Sequence, residues 1–340
     1  MTRKQSPDAS RRTASRRVVA IGDLEVRAVY DGRTRIKEPP GVSALPEEEL
    51  ADHRRYLPGD GGLDVWFGAH LVRTGDRVIL LDAGLGPHEA PSRVHVPDPG
   101  DRALAEAYRE RFRALGRADA EIERRLRGLA AETVEYGHLA DSLAFLGVAP
   151  ADVTDVVVTH LHCDHMGWVS HRDRPFFPNA RVWAHEEDVA HFLGEHADDE
   201  RHFMLMYGVA PTRERMEPVL SRLEPWSSDR TIAPGVDLVH APGHTPGNAL
   251  VVLSSRGERG IVTGDTIHCP LELTVPGFGI NADVDRVRAD ATKRDLLRLI
   301  ETTEAWVGST HFPGLEFGRL GPAAGSPRRW EWHDDAVVAG

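Results

Sequence analysis

The chain has 340 residues, 41% of them hydrophobic and 28% charged, and a net charge of −12, which leaves enough apolar content for a sizeable core. The acidic balance argues against a nucleic-acid surface, which needs a basic stripe, and no stretch approaches the roughly 18 apolar residues of a membrane span. Two cysteines far apart, with no secretory signal ahead of them, do not indicate a disulfide framework, so a cytoplasmic protein is expected.

Residues 1–17 carry Arg3, Lys4, Arg11, Arg12, Arg16 and Arg17 against a single Asp8. They lack the apolar centre of a signal peptide and read as a flexible, solvated tail. Val18 to Tyr30 holds two β-rich runs broken at Gly22-Asp23, an opening hairpin. Asp31 to Asp60 is polar and reads as a loop with a brief helical pattern at Pro46 to Tyr56, draped toward the site. Strands follow at Trp66 to Arg73 and Arg77 to Asp82, joined by the turn Thr74-Gly75-Asp76.

From Asp101 to Leu146 the pattern turns helical, with Leu104, Tyr108, Phe112 and Leu115 at three- and four-residue spacing. This helical insertion has two readings: a layer packed on a sheet, or a lid or homodimer surface that shapes the substrate pocket. Asp155 to Thr159 is β-branched and apolar, a buried strand. Later strands are expected at Ala180 to Ala184, Val236 to His240, Ala249 to Leu253, Ile261 to Thr263 and Ala305 to Gly308. Helices are expected at Glu186 to Leu193 and at Val284 to Thr303, the latter with Val287, Leu296, Leu297 and Ile300 as its apolar face. No internal repeat and no second domain are evident; one domain runs over 18–325, with a C-terminal tail at 326–340.

The strand at 155–159 delivers His160-Leu161-His162-Cys163-Asp164-His165, three histidines and a carboxylate within six residues. Alternation along an extended chain puts His160, His162 and Asp164 on one side and Leu161 and Cys163 on the other, a geometry for ligands that leaves Cys163 as inert packing. His171, His185, His191, His196 and His202 lack ligand spacing and read as ordinary surface or core residues.

The HxHxDH pattern resembles that of the metallo-β-lactamase superfamily, and three further segments in the right order extend the resemblance: His244 in Ala241-Pro242-Gly243-His244-Thr245-Pro246-Gly247, Asp265 after Ile261-Val262-Thr263-Gly264, and His311 in Gly308-Ser309-Thr310-His311-Phe312-Pro313. Leu80-Leu81-Asp82-Ala83-Gly84 resembles the family's early strand-turn element, with Ala83 where Thr is usual. The resemblance covers about residues 18 to 320. It implies an α/β fold, the four-layer αββα sandwich, and a dinuclear site. His160, His162 and His244 would hold one metal, Asp164, His165 and His311 the other, and Asp265 would bridge them. Imidazole and carboxylate ligands without thiolate suit two Zn2+, with Mn, Fe or Co as alternatives. Gly243, Gly247 and Gly264 let the ligand loops turn tightly, and Asp82 is placed either to orient a ligand histidine or to form a turn.

The implied chemistry is hydrolysis of a small lactone or ester by a metal-bridging hydroxide. Asp265 stands where several true β-lactamases carry Cys, which moves the resemblance toward lactonases and the methyl-parathion-hydrolase-like group. A glyoxalase II-like thioesterase and an organophosphate triesterase are the alternatives, with a mononuclear iron sulfur dioxygenase behind them. In the lactonases a Tyr three residues after the bridging Asp holds the substrate carbonyl; here that place is His268, an imidazole able to donate to an oxyanion or a leaving group. The catalytic candidates are thus Asp164 and His268, and Trp168, Phe278 and Phe312 are the aromatic candidates for lining the pocket.

Overall fold

The computed structural model of the protein describes residues 18–37, 39, 42, 45–51, 53–54, 56–57, 62–90, 92–129, 132–279, 283–321 and 328–333. The basic tail expected at 1–17, and residues 326–327 and 334–340 of the C-terminal one, lie outside them.

Two sheets face each other. In spatial order the first carries Leu223–Trp226, Arg181–His185, Asp155–Val157, Arg77–Leu81, Leu63–Thr74, Leu24–Ile36, Val134–Glu135 and Val94–His95, and Val18–Ile21 also pairs with Leu24–Ile36. Its first four strands run parallel. The second carries Arg230–Ala233, Val236–His240, Ala249–Ser255, Glu258–Val262, Trp306–Gly308, Gly318–Leu320 and Trp330–Trp332, parallel only between Glu258–Val262 and Trp306–Gly308.

Strand alternation sorts the core into layers. Ile79, Leu81 and Val157 of the first sheet meet Val236, Val251, Leu253 and Val262 of the second between the sheets. Their neighbours point outward. Leu80 and Val156 pack under Leu139, Leu143 and Phe192 of the helices Leu139–Phe145 and Glu186–Phe192, and Leu250, Val252 and Ile261 pack under Leu296 and Ile300 of the helix Arg286–Thr303. Helix, sheet, sheet, helix is the expected αββα order.

Four expectations need correction. The segment 31–36, expected as loop, continues the strand Leu24–Ile36 and pairs with Leu63–Thr74 through a bulge after Tyr30. Val287 is 81% exposed; the buried stripe of its helix is Ala289, Leu296 and Ile300, and two residues before Ala289 lies about 200° round the helix. Trp330–Trp332, expected in the tail, forms the last strand of the second sheet because its two indoles bury against the Phe312 side of the core. The insertion over 101–146 divides. Its third helix, Leu139–Phe145, belongs to the sandwich, whereas α1 (Arg102–Ala114) and α2 (Asp119–Leu129) form a separate cluster, Leu104, Tyr108, Phe112, Ile122, Leu126 and Leu129, with Met206 of α3 (Arg201–Tyr207). These three helices form a cap.

Candidate metal centre

The predicted ligands arrive just beyond the C-terminal ends of four strands. His160 and His162 follow Asp155–Val157, His244 follows Val236–His240, Asp265 follows Glu258–Val262, and His311 follows Trp306–Gly308. Backbone bonds between these exits hold them in register: Ala249 N–H donates to Thr159 O at 2.9 Å and Thr263 N–H to Gly308 O at 3.0 Å. At Gly243 the backbone has φ +136, and a Cβ would lie 2.3 Å from the amide nitrogen of Ala289, so only glycine lets the His244 turn pass this close to the helix. Cys163–Met166 is a single helical turn, so Asp164 and His165 reach the site from a helix rather than from the expected extended run. Cys163 faces the core, and its thiol is pushed up by burial.

All seven predicted ligands come together in two groups, His160, His162, His244 and Asp265 in one, Asp164, His165 and His311 in the other. His162 Nδ1 lies 3.0 Å from both His160 Nε2 and His244 Nε2. In the second group His165 Nε2 and His311 Nε2 are 3.2 Å apart. Asp265 stands between: Oδ1 is 3.3 Å from His165 Nε2 and 3.2 Å from His311 Nε2, and Oδ2 is 3.3 Å from His244 Nε2.

The outward ring nitrogens have oxygen partners. His165 Nδ1–H donates to Asp82 Oδ2 at 2.9 Å, His244 Nδ1–H to Asp283 Oδ1 at 3.2 Å, His311 Nδ1–H to Trp66 O at 2.8 Å and His160 Nδ1–H to Thr159 Oγ1 at 3.2 Å. With protons committed there, the inward nitrogens turn their lone pairs toward one another, and Asp265 Oδ1 is buried without a hydrogen-bond donor. Such a donor set fits cations. Burial lowers His160 well below the usual imidazole value and His244 to about 4, keeping both neutral.

Several contributors have no signal in the sequence. Asp188, fully buried in the helix Glu186–Phe192, accepts from Leu161 N–H at 2.9 Å, Thr245 Oγ1–H at 3.0 Å and Gly247 N–H at 2.6 Å, tying the two ligand loops together. Asp283 was likewise not anticipated. Asp82, whose backbone has φ +63, orients His165 and also accepts from Thr159 N–H at 2.8 Å.

A cavity of about 150 Å³ opens on this cluster, lined by His162, Asp164, His244, Asp265, His268 and His311. Its apolar walls come from Ile36, Val65 and Phe67 of the first sheet and from Tyr108, Phe112, Leu129, Phe203, Met206 and Tyr207 of the cap. Part of the insertion thus lines the cavity, but the three predicted aromatics do not. Trp168 donates its indole N–H to Asp31 and packs on Phe176, Phe312 is fully buried against Trp330, and Phe278 packs against the core under the second sheet. His268 does line it. Its Nε2 is 3.2 Å from Asp265 Oδ2 and its Nδ1 3.2 Å from Glu272 Oε1, with Lys293 Nζ donating to Glu272 Oε2 at 2.5 Å. Burial would lower His268, and the Asp265 and Glu272 carboxylates outweigh it, raising it to about 10.

Three of the histidines expected to be ordinary lie in further groups. His185 stacks on His240 at 3.8 Å beside Glu187, and His191 stacks on His196 at 4.4 Å beside Asp199, whose Oδ2 accepts from Arg111 at 3.1 Å. Both cysteines are free, and no helix among the described residues is long and apolar enough to cross a membrane.

A sequence model described as the metallo-beta-lactamase superfamily matches residues 69–311. N-acyl homoserine lactonase AiiB of Agrobacterium fabrum (strain C58 / ATCC 33970) is 25% identical over 200 residues, 54% of this chain and 56% of that protein, so the chain spans about half the length of this relative. Two solved structures share the fold. One is AidC, a dizinc quorum-quenching lactonase in complex with a product, with a TM-score of 0.66 and 21% identity, covering 92% of this chain and 96% of that one. The other is the hydrolase AbOPH, with a TM-score of 0.67 and 20% identity over the same shares.

Proposed function

This chain belongs to the metallo-β-lactamase superfamily, and from that premise we propose that it is a dinuclear-metal hydrolase that opens a small lactone or ester. The observation that carries this reading is Asp265, whose carboxylate reaches both groups of donors: Oδ1 lies 3.3 Å from His165 Nε2 and 3.2 Å from His311 Nε2, and Oδ2 lies 3.3 Å from His244 Nε2 and 3.2 Å from His311 Nε2. His160, His162 and His244 would hold one cation, Asp164, His165 and His311 the other, and Asp265 both, with zinc the metal that the ligand types suit best. When bound, the two ions would polarise the carbonyl oxygen and acidify a water toward neutrality.

The protein's own side chains do the rest. Asp82, Asp283 and the Trp66 carbonyl aim His165, His244 and His311 so that the donors are in place before substrate arrives. Asp164, at 13% the most exposed of the seven side chains, is placed to take a proton on its way to the departing alkoxide. His268, its Nδ1 side fixed by Glu272 and its Nε2 3.2 Å from Asp265 Oδ2, lines the cavity where it would donate to the ester oxygen that gains charge. The apolar cap walls exclude water and bind an apolar substituent, which the homoserine lactones of the relatives possess.

Elemental analysis paired with turnover of an acyl-homoserine lactone, an aryl ester, a thioester and a phosphotriester tests this. Two zinc ions per chain and metal-dependent opening of the lactone or ester are expected. Preference for the thioester or phosphotriester would move the substrate class to a glyoxalase II-like or triesterase activity. One iron per chain with oxygen consumption, or no turnover after zinc is restored, would overturn the hydrolase.

A further inference from the structure

Four of the five clustered histidines present Nε2 to the centre, and His162 alone presents Nδ1. Its outward nitrogen, Nε2, meets no backbone carbonyl; it lies 3.3 Å from Glu200 Oε1. Glu200 is 1% exposed and belongs to the cap, as the residue immediately before α3. Its other oxygen, Oε2, has no hydrogen-bond partner among the described residues, and Arg111 of α1 stays 3.9 Å from Oε1 while donating to Asp199. A buried carboxylate with so little compensation is costly. It becomes favourable where it accepts an imidazole N–H whose opposite nitrogen binds a cation, because each interaction strengthens the other.

We propose that Glu200 is a positioning residue that fixes His162 as the Nε2–H tautomer, so that Nδ1 is free for a metal ion and that ligand is tied to the helical cap. The proposal rests on the dinuclear reading above. The tie runs through elements that also shape the cavity. Phe203 of α3 packs edge-on against the His162 ring at 6.0 Å and lines the cavity with Met206 and Tyr207, while α1 supplies Arg111 next to Glu200 together with Tyr108 and Phe112 on the wall. Cap and metal centre are thus one mechanical unit at this point.

The test strips the full-length protein of metal and titrates it with Zn2+ against a chelating indicator, and with Co2+ to record the visible ligand-field bands. The unaltered chain is expected to take two ions. Glu200→Gln is expected to keep one at unchanged affinity, bind the other about 10–100-fold more weakly, and shift one set of cobalt bands. Two ions bound with unchanged affinities and spectra would overturn the role of Glu200 while leaving the dinuclear reading intact. An unaltered chain that takes fewer than two ions overturns both. Should Glu200→Gln not fold, 15N–1H couplings of the His162 ring in the unaltered, zinc-loaded protein decide the question. A proton on Nε2 is expected, and a proton on Nδ1 would overturn the proposal.

Discussion

The Asp31 carboxylate accepts the indole N–H of Trp168 at 2.8 Å, turning the aromatic just after the ligand cluster away from the cavity and into the wall behind it. The same buried carboxylate accepts the backbone N–H groups of Leu85, Gly86, Gly137, His138 and Leu139 at 2.8–3.2 Å. One side chain thereby fastens three loops beneath the metal centre. Asp31→Ala leaves these donors without an acceptor in a site closed to water, so a loss of more than about 3 kcal/mol in unfolding free energy is expected, read from urea titration of the metal-free protein.

Chelation should abolish turnover and Zn2+ should restore it. Asp283→Asn, which removes the charge behind His244 without touching the inward donors, is expected to weaken metal binding about 10–100-fold. Competition against a chelating indicator measures it, and an unchanged affinity would show that His244 needs no anchor.

Gly243→Ala places a Cβ 2.3 Å from the Ala289 amide nitrogen at φ +136. The turn must lift off the helix, at a cost of about 1–3 kcal/mol. A lower melting temperature together with weakened binding of one ion is expected, since His244 moves with the turn. The same drop in melting temperature with full metal affinity would place the strain elsewhere.

Asp155 lies under the metal strand, wholly buried, accepting from Arg77 Nε at 2.7 Å, Trp183 Nε1 at 2.9 Å and Thr154 Oγ1 at 2.7 Å. Burial alone would raise its carboxyl, and these three donors outweigh it, so the folded-state value is depressed. Its stabilisation is therefore complete above the unfolded value of about 3.9 and is lost as pH falls through the lower folded one. In metal-free protein Asp155→Asn should cost about 3 kcal/mol at neutral pH. The deficit relative to the unaltered chain should shrink below about pH 4, and a deficit independent of pH in urea midpoints would contradict the assignment.

Phe112→Ala removes an apolar wall of the cavity contributed by the cap. Losing about half of the binding carried by a buried Phe raises KM about tenfold for a substrate with a long apolar substituent. The kcat should change little, because Phe112 is not among the metal-centre residues. Steady-state kinetics across a series of chain lengths would show it, and an equal effect on the shortest substrate would remove Phe112 from the specificity wall.

The sequence exposed what local patterns encode. Strands such as Val236–His240 were readable from β-branched runs, and the seven side chains that cluster from histidines and aspartates at the ends of such runs. What it hid were partnerships across long stretches of chain. Asp188 reaches Gly247 and Asp31 reaches Trp168, yet each is a lone carboxylate in a polar segment, indistinguishable there from a solvated one. The pocket aromatics were misplaced for the same reason. Trp168 and Phe312 sit beside ligands in sequence, whereas the cavity walls of Phe112 and Met206 come from helices whose apolar positions read only as a packing stripe.

Because the cap keeps its own cluster, Leu104, Tyr108, Phe112, Ile122, Leu126, Leu129 and Met206, apart from the cores of the sandwich, selection can redraw which molecules enter the cavity without disturbing the histidine cluster below. Diversifying those positions in the laboratory should change what the cavity admits while the sandwich keeps its fold. The freedom stops at Glu200, where a change of diet would reach His162 itself.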